Sequence, residues 1–186
     1  MPFQKSQYIL FFIIRNQVQG FLTMDVSAPD FATLLAPYIS SVPEDAVPAF
    51  LALLERTAAA RYRTWAGELP EHAEGLMACA AREDEIADAV EGIYPAQGSD
   101  QQQAMEAALA PAKATYYDVF SNLTTQEQLA IQANAERQGA AAWRGMIAEE
   151  PNEQTRAVLE HCARTEEASA DYLDTLLSTI ATPEEN

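Results

Sequence analysis

Four glutamates occupy matching positions in a stretch that the chain contains twice. The shared skeleton reads E-R-x-[A/G]-A-A-x-[Y/W]-R and, after a gap, C-A-x-x-E. The first copy runs from Glu55 to Glu83, 28 positions, and the second from Glu136 to Glu166, 30 positions. One loop can absorb this small difference in length. Duplication of a helical hairpin explains the repetition best.

Each of these glutamates lies in the middle of an apolar stripe that has helical spacing. The stripe around Glu55, for example, includes Leu51, Ala58 and Tyr62. Stripes of this kind face inward, so the four carboxylates would meet at the centre of a bundle. Ionised carboxylates in a dry core need metal cations, arginines, water or retained protons. The pattern therefore predicts a buried carboxylate centre made by Glu55, Glu83, Glu136 and Glu166.

The repeat resembles the ferritin-like superfamily, most closely its rubrerythrin branch, over about residues 45–178. In that family each hairpin supplies a Glu followed seven residues later by Tyr, and then E-x-x-H on the partner helix. This chain has Glu55 with Tyr62, and Glu136 with Trp143. The resemblance implies an all-α, ferritin-like four-helix bundle of two repeated hairpins with an additional connecting helical segment. It also implies that the four glutamates are ligands of a di-iron or di-manganese site.

Both ligand histidines of the family pattern are replaced, by Ile86 and Ser169. Neither remaining histidine restores the site. His161 has no carboxylate three or four residues away in the sequence, and His72 pairs only with Glu68 across the helix-breaking Pro70. We therefore expect no catalytic residue and, as the favoured outcome, no bound cofactor.

Three functional classes follow. The favoured one is a ferritin-like protein with a degenerate di-metal centre that acts as a non-catalytic structural or interaction protein. The second retains metal through oxygen ligands alone; manganese, magnesium or calcium would suit such a site, while the loss of imidazole weakens the case for iron. A di-metal pair of manganese or iron, with an oxidoreductase or metal-handling role, belongs to this class. The third class uses the bundle core as a pocket for a small molecule.

Two other residue pairs recur in the repeat. Cys79 and Cys162 each precede a core glutamate by one turn, so they face inward, and we expect free thiols that serve as small core residues. Arg63 and Arg144 lie eight residues after Glu55 and Glu136. These arginines could neutralise the carboxylates from the bundle end or coat the surface, and the sequence does not separate these alternatives.

Capping and breaker residues predict the helices. Residues 27–30 (Ser-Ala-Pro-Asp) cap a first helix, with proline in its first turn, that runs through about Tyr38. The next three segments span about 47–68, 71–94 and 101–123, the last interrupted at Pro111, and a fifth follows and ends before Pro151. Thr124 or Thr125 caps the fifth segment in a capping box with Glu127 or Gln128. A last helix follows Pro151 and frays from about Ala181.

Charge separates the beginning of the chain from the rest. Residues 1–23 contain Lys5 and Arg15 and no acid, whereas the whole chain carries a formal charge of −17 and has a pI near 4.3. We interpret 1–23 as a translated upstream region preceding a start at Met24; a weak signal peptide or a peripheral anchor is the alternative. Residues 24–180 form one helical domain, and 181–186 a frayed tail.

The same charge bears on partners. Strong negative charge repels nucleic acid and anionic lipid, so no nucleic-acid partner is expected. The longest apolar run of the first segment, Tyr8 to Ile14, is too short to span a bilayer. We expect no transmembrane segment, a cytoplasmic location, and either a homodimer or an unidentified protein partner.

Overall fold

The structure, a computed structural model, describes residues 28–181. The interpretation of residues 1–23 falls outside this range, and of the predicted tail only Ala181 falls within it. Six α-helices are described, in the order α1 (Phe31–Ile39), α2 (Val47–Glu68), α3 (Ala73–Ile93), α4 (Gly98–Asp118), α5 (Thr125–Glu149) and α6 (Glu153–Ala181). Short 3₁₀ turns, Glu44–Ala46 and Pro70–His72, precede α2 and α3. No strand occurs between residues 28 and 181, which confirms the all-α prediction.

Local capping signals fix several helix ends. Thr124 caps α5, with its hydroxyl accepting from the Glu127 backbone N–H while the Glu127 carboxylate accepts from the Thr124 backbone N–H at 2.7 Å. This is the predicted capping box. At α1 the prediction was wrong in one detail: the cap is Asp30, so Pro29 precedes the helix and does not lie in its first turn.

The predicted interruption at Pro111 is also wrong, because α4 continues through that residue. Proline removes one backbone N–H, so the carbonyl of Ala107, four residues earlier, loses its helical donor. Both Pro111 and Ala107 are exposed, so water can satisfy that carbonyl. A proline on the solvent side of a helix therefore need not end it.

Packing divides the main helices into two pairs. Helix α2 packs along α3, α5 packs along α6, and the two pairs meet most extensively where α3 contacts α6. Helix α1 lies outside these pairs and contacts α4 and α5, while α4 also contacts α2. No described helix combines the length and the apolar character that crossing a membrane would require.

The first set of ion pairs repeats between the two helix pairs. Arg63 of α2 contacts Asp84 of α3, and Arg144 of α5 forms two hydrogen bonds with Glu167 of α6, at 2.5 and 2.8 Å. In each copy the arginine lies eight residues after the first core glutamate, and the acid directly follows the second. These arginines therefore join the two helices of a pair at their surface.

A second set occupies equivalent positions as well. Arg56 directly follows the first core glutamate of its copy and contacts Glu91 at 2.7 Å, and Arg137, its counterpart, contacts Asp174. Both acids lie eight residues after the last core glutamate of their copy. The similarity between the two copies thus extends from the sequence skeleton to the contacts between helices.

Two apolar clusters enclose the four glutamates along the helices. One cluster includes Tyr62, Cys79, Leu129 and Leu173, and the other includes Ala52, Ile86, Trp143 and Cys162. On each of the helices α2, α3, α5 and α6, the core glutamate lies between a residue of one cluster and a residue of the other. The carboxylates therefore occupy a polar layer between two apolar layers.

Candidate metal centre

The structure brings the predicted carboxylates together, one from each of the four main helices. Carboxylate oxygens of Glu55, Glu83 and Glu166 all lie within 4.8 Å of one another. Glu136 lies near this trio, close enough that its negative charge raises the pKa of Glu55, of Glu83 and of Glu166. Glu83, Glu136 and Glu166 are each at most 2% exposed, whereas Glu55 is partly exposed.

Glu136 is held by two donors on the same oxygen. The Tyr62 hydroxyl donates to Glu136 Oε1 at 2.7 Å, and Gln132 Nε2 donates to it at 2.6 Å. The Gln132 carbonyl in turn accepts from the Tyr116 hydroxyl at 2.7 Å. Tyr62 belongs to the other helix pair, so this hydrogen bond ties the two pairs together through the centre.

Glu166 and Glu83 have one side-chain donor each. Trp143 Nε1 donates to Glu166 Oε1 at 3.0 Å, and the Ser169 hydroxyl donates to Glu83 Oε1 at 3.2 Å. Donors of this kind orient carboxylates around a metal ion in known metal sites.

Gly139 makes room for the Glu166 carboxylate. A Cβ atom at this position would lie 2.6 Å from Glu166 Oε1 and 2.9 Å from its carboxyl carbon. The equivalent position in the first copy is Ala58, where a methyl group is accommodated. A glycine inside a helix is unfavourable by about 1 kcal/mol relative to alanine, so its presence at residue 139 fits this close approach.

Two carboxylate oxygens at the centre have no hydrogen-bond partner although they are buried, Glu83 Oε2 and Glu136 Oε2. No described arginine, lysine or histidine forms an ion pair with any of the four glutamates. Arg63 and Arg144 pair with surface acids, which resolves the two alternatives for them in favour of a surface role. A buried carboxylate without a partner costs considerable free energy, so this centre requires protons or cations.

The electrostatics of the metal-free centre favour protonation. Burial, followed by the charge of Glu136, raises the pKa of Glu55 to about 8. Burial also raises the pKa of Glu83 and of Glu166 well above the ordinary carboxyl range, and the charges of the neighbouring glutamates add to the effect. Mutual repulsion among carboxylates is the condition that a bound cation relieves.

The geometry and the chemistry of the donors fit a hard divalent cation. Two oxygens on opposite sides of one ion are separated by about twice the bond length, roughly 4.2 Å for Mg²⁺ and about 4.6–5.2 Å for Ca²⁺. The 4.8 Å limit on the Glu55, Glu83 and Glu166 oxygens is close to this range. Oxygen-only ligands suit Mg²⁺, Ca²⁺ and Mn²⁺. These residues could therefore hold such an ion.

The positions that carry histidine in the family pattern have different surroundings here. Ile86 is 1% exposed and belongs to an apolar cluster, while Ser169 donates to Glu83. His161 lies on the surface, where its Nε2 contacts Glu85 Oε1 at 2.8 Å. His161 therefore provides no ligand to the centre.

Both cysteines are free and buried, as predicted. Burial raises the pKa of each thiol to about 12. For Cys79 the nearby charge of Arg82, whose guanidinium lies 3.4 Å from the sulfur, lowers the pKa, but burial dominates. At neutral pH both groups are therefore thiols, which are poor nucleophiles.

Sequence reasoning missed the residues that surround the carboxylates. Gln132 precedes Glu136 by one helical turn, so a polar residue on the same buried stripe was the available signal. Gly139 could have been noticed as a glycine within a helical pattern. Nothing local indicated that the Tyr62 hydroxyl would reach the other helix pair, because that contact spans 74 residues.

In comparisons with known proteins, no family model, curated protein or solved structure matches the chain.

Proposed function

We propose that the chain is a ferritin-like protein whose two hairpins form a four-helix bundle around a carboxylate-only centre that binds divalent metal. The observation that carries the proposal is the pair of buried, unpartnered oxygens on Glu83 and Glu136 beside a trio of converging carboxylates. Mn²⁺ and Mg²⁺ are the ions that such ligands favour. A bound ion would supply positive charge to a layer that contains none of its own.

The repeated contacts support the bundle part of the proposal. Each helix pair has ion pairs at the same two positions of its copy, and each helix contributes one glutamate to the same layer. The arrangement of hydrogen bonds supports the metal part. Each hydrogen bond goes to the Oε1 atom of a glutamate, and side chains that surround metal ligands form hydrogen bonds of this kind. The donors are Tyr62 and Gln132 to Glu136, Trp143 to Glu166, and Ser169 to Glu83.

Metal titration of the purified, chelator-treated protein tests the proposal. Mn²⁺ should raise its melting temperature, since an ion bound only by the folded state adds about 2.7 kcal/mol at a hundredfold excess over Kd. Elemental analysis should detect tightly held metal in protein purified without chelator. In the double variant Glu83→Gln and Glu166→Gln, both the Mn²⁺ effect and the metal content should be lost.

The matched control removes the same charge at exposed positions, Glu106→Gln with Glu149→Gln, and should retain the Mn²⁺ effect. The competing hypothesis is a degenerate centre with a non-catalytic structural or interaction role. It predicts that Mn²⁺ and Fe²⁺ barely move the melting temperature. It also predicts that the double variant is as stable as the parent or more so, because amides relieve repulsion while retaining hydrogen bonds. That pair of results would overturn metal binding.

A further inference from the structure

An open pocket reaches the carboxylate centre from outside the two helix pairs. Its volume is about 130 Å³. Helix α1 forms one wall through Phe31, Leu35 and Ile39, and helices α2 and α5 form most of the rest. The pocket therefore depends on α1, a helix that lies outside the repeated hairpins.

The lining is mostly hydrocarbon, with the polar groups grouped at the centre. Besides the α1 residues, its apolar walls include Leu51, Leu54, Ala58, Ala135 and Ala142. Three of the four carboxylate residues, Glu55, Glu136 and Glu166, also line it. Of these three glutamates, Glu55 is partly exposed, whereas Glu136 and Glu166 are buried.

The size and the lining together define an occupant. A cavity of about 150 Å³ lined by leucine, isoleucine and phenylalanine stays dry and binds benzene. The pocket here has a similar volume and mostly apolar walls, although it is open on one side and three glutamates also line it. Water gains little against such walls, whereas a compact apolar molecule removes apolar surface from water and stabilises the complex by about 25 cal/mol per Å² buried.

We propose that this pocket is a binding site for a compact apolar molecule of about the size of benzene, which would lie against α1 and touch the carboxylate centre. The site does not depend on a bound metal, because its walls are side chains of the protein, mostly those of α1, α2 and α5. If the centre binds a metal ion, a molecule in this pocket would lie next to that ion.

Methyl NMR of the full chain, with benzene as the probe, tests the site. In metal-free protein, benzene should shift the methyl signals of Leu35, Ile39 and Leu54 in a saturable manner. The variant Ala142→Phe fills the pocket from α5 and should abolish these shifts. Ala148→Phe is the matched control, because Ala148 is exposed on the same helix, and it should leave them intact.

A second blocking variant, Ala135→Phe, covers the case in which Ala142→Phe fails to fold, since Ala135 lines the same pocket and is also only half-buried. Absence of saturable shifts in the parent chain would overturn the proposal. Equal shifts in the folded blocking variants and in the control would overturn it too. Because the measurement uses metal-free protein, failure of metal binding leaves its result unaffected.

Discussion

The two helix pairs share a skeleton and differ at the centre they build. Their surface ion pairs are equivalent, yet Glu136 of the second pair is buried and receives two side-chain donors, while Glu55, its counterpart in the first, is partly exposed. The residues seven positions later differ as well: Tyr62 donates across to Glu136, but Trp143 donates to Glu166 of its own pair.

This difference shows that two helix pairs with matching sequence skeletons and surface ion pairs can contribute unequally to one centre. The surface contacts that join two helices depend only on residues within one copy, so both copies retain them. The surroundings of each glutamate at the centre depend also on groups outside its own copy, namely α1 and the other helix pair. We call the side of Glu136, which two donors hold, the anchored side, and the side of Glu55, which is partly exposed, the accessible side.

The largest effect that we predict is on the pH dependence of stability. Glu55 has a pKa of about 8 in the folded, metal-free protein against an ordinary value of 4.5, so the folded state holds more protons than the unfolded state between these values. The free energy of unfolding should therefore fall as pH rises from about 4.5 to 8. Replacing Glu55 with Gln should reduce the slope by up to about 1.4 kcal/mol per pH unit.

Chemical denaturation of metal-free protein across this pH range measures the slope. The exposed variant Glu106→Gln is the control and should keep it. If Glu55→Gln left the slope unchanged, the accessible side of the centre would not be titrating, and the contrast with the anchored side would lose its electrostatic basis.

Tyr62→Phe tests the anchored side. The change removes a buried donor from Glu136 and should lower the free energy of unfolding by about 1–3 kcal/mol, as expected for the loss of a hydrogen bond to a carboxylate in the interior. Tyr172→Phe is the matched control, because that half-buried hydroxyl donates to the His72 carbonyl at the longer distance of 3.3 Å. Denaturant titration of both variants should give clearly unequal losses. Equal losses would show that the hydrogen bond between the two helix pairs contributes no more to stability than the one that Tyr172 forms.

Gly139→Ala tests whether the absence of a side chain at residue 139 is needed to accommodate the Glu166 carboxylate. The new Cβ would lie 2.6 Å from Glu166 Oε1, so the carboxylate must move. If the proposed metal centre is correct, the affinity for Mn²⁺ should fall about tenfold or more. Gly92→Ala has open space around its Cβ and should leave Mn²⁺ affinity unchanged. Isothermal titration of both variants decides the matter; unchanged affinity in Gly139→Ala would remove this glycine from the site.

The smallest effect concerns the equivalent surface arginines. Arg63→Gln and Arg144→Gln should each lower the free energy of unfolding by at most about 1 kcal/mol, and less at high salt, because both pairs are partly exposed. Arg144 should have the larger effect, since it forms two hydrogen bonds with Glu167. A loss of several kcal/mol at either position would show that the two copies differ at the surface as well as at the centre.

Periodicity in the sequence determined which residues form the polar layer. The helical spacing around Glu55, Glu83, Glu136 and Glu166 predicted one inward carboxylate per helix, and the structure brings these carboxylates together. The capping box at Thr124 was likewise predictable. Both signals are local, because a helix places residues three and four apart on the same face and a cap involves four consecutive residues.

The wrong prediction at Pro111 also came from a local signal. A proline is a reliable local signal of a lost hydrogen bond, but whether that loss ends a helix depends on what can replace the donor. Here the affected turn faces solvent, as only the packing of α4 against α1 and α2 could establish. The role of Arg63 and Arg144 remained undecided for a similar reason, since their partners lie on another helix.

The sequence by itself determined the helices, the repeat and the four carboxylates, because each is written in residues close together along the chain. Only the tertiary structure decided which oxygens have hydrogen-bond partners, which carboxylates line a pocket and where α1 lies. Those features depend on contacts such as that of Tyr62 with Glu136, or of the Phe31 backbone N–H with the Gln138 side chain, which join residues 74 and 107 positions apart. Spacing along one helix carries no information about such distant partners, so the centre was predictable while its surroundings were not.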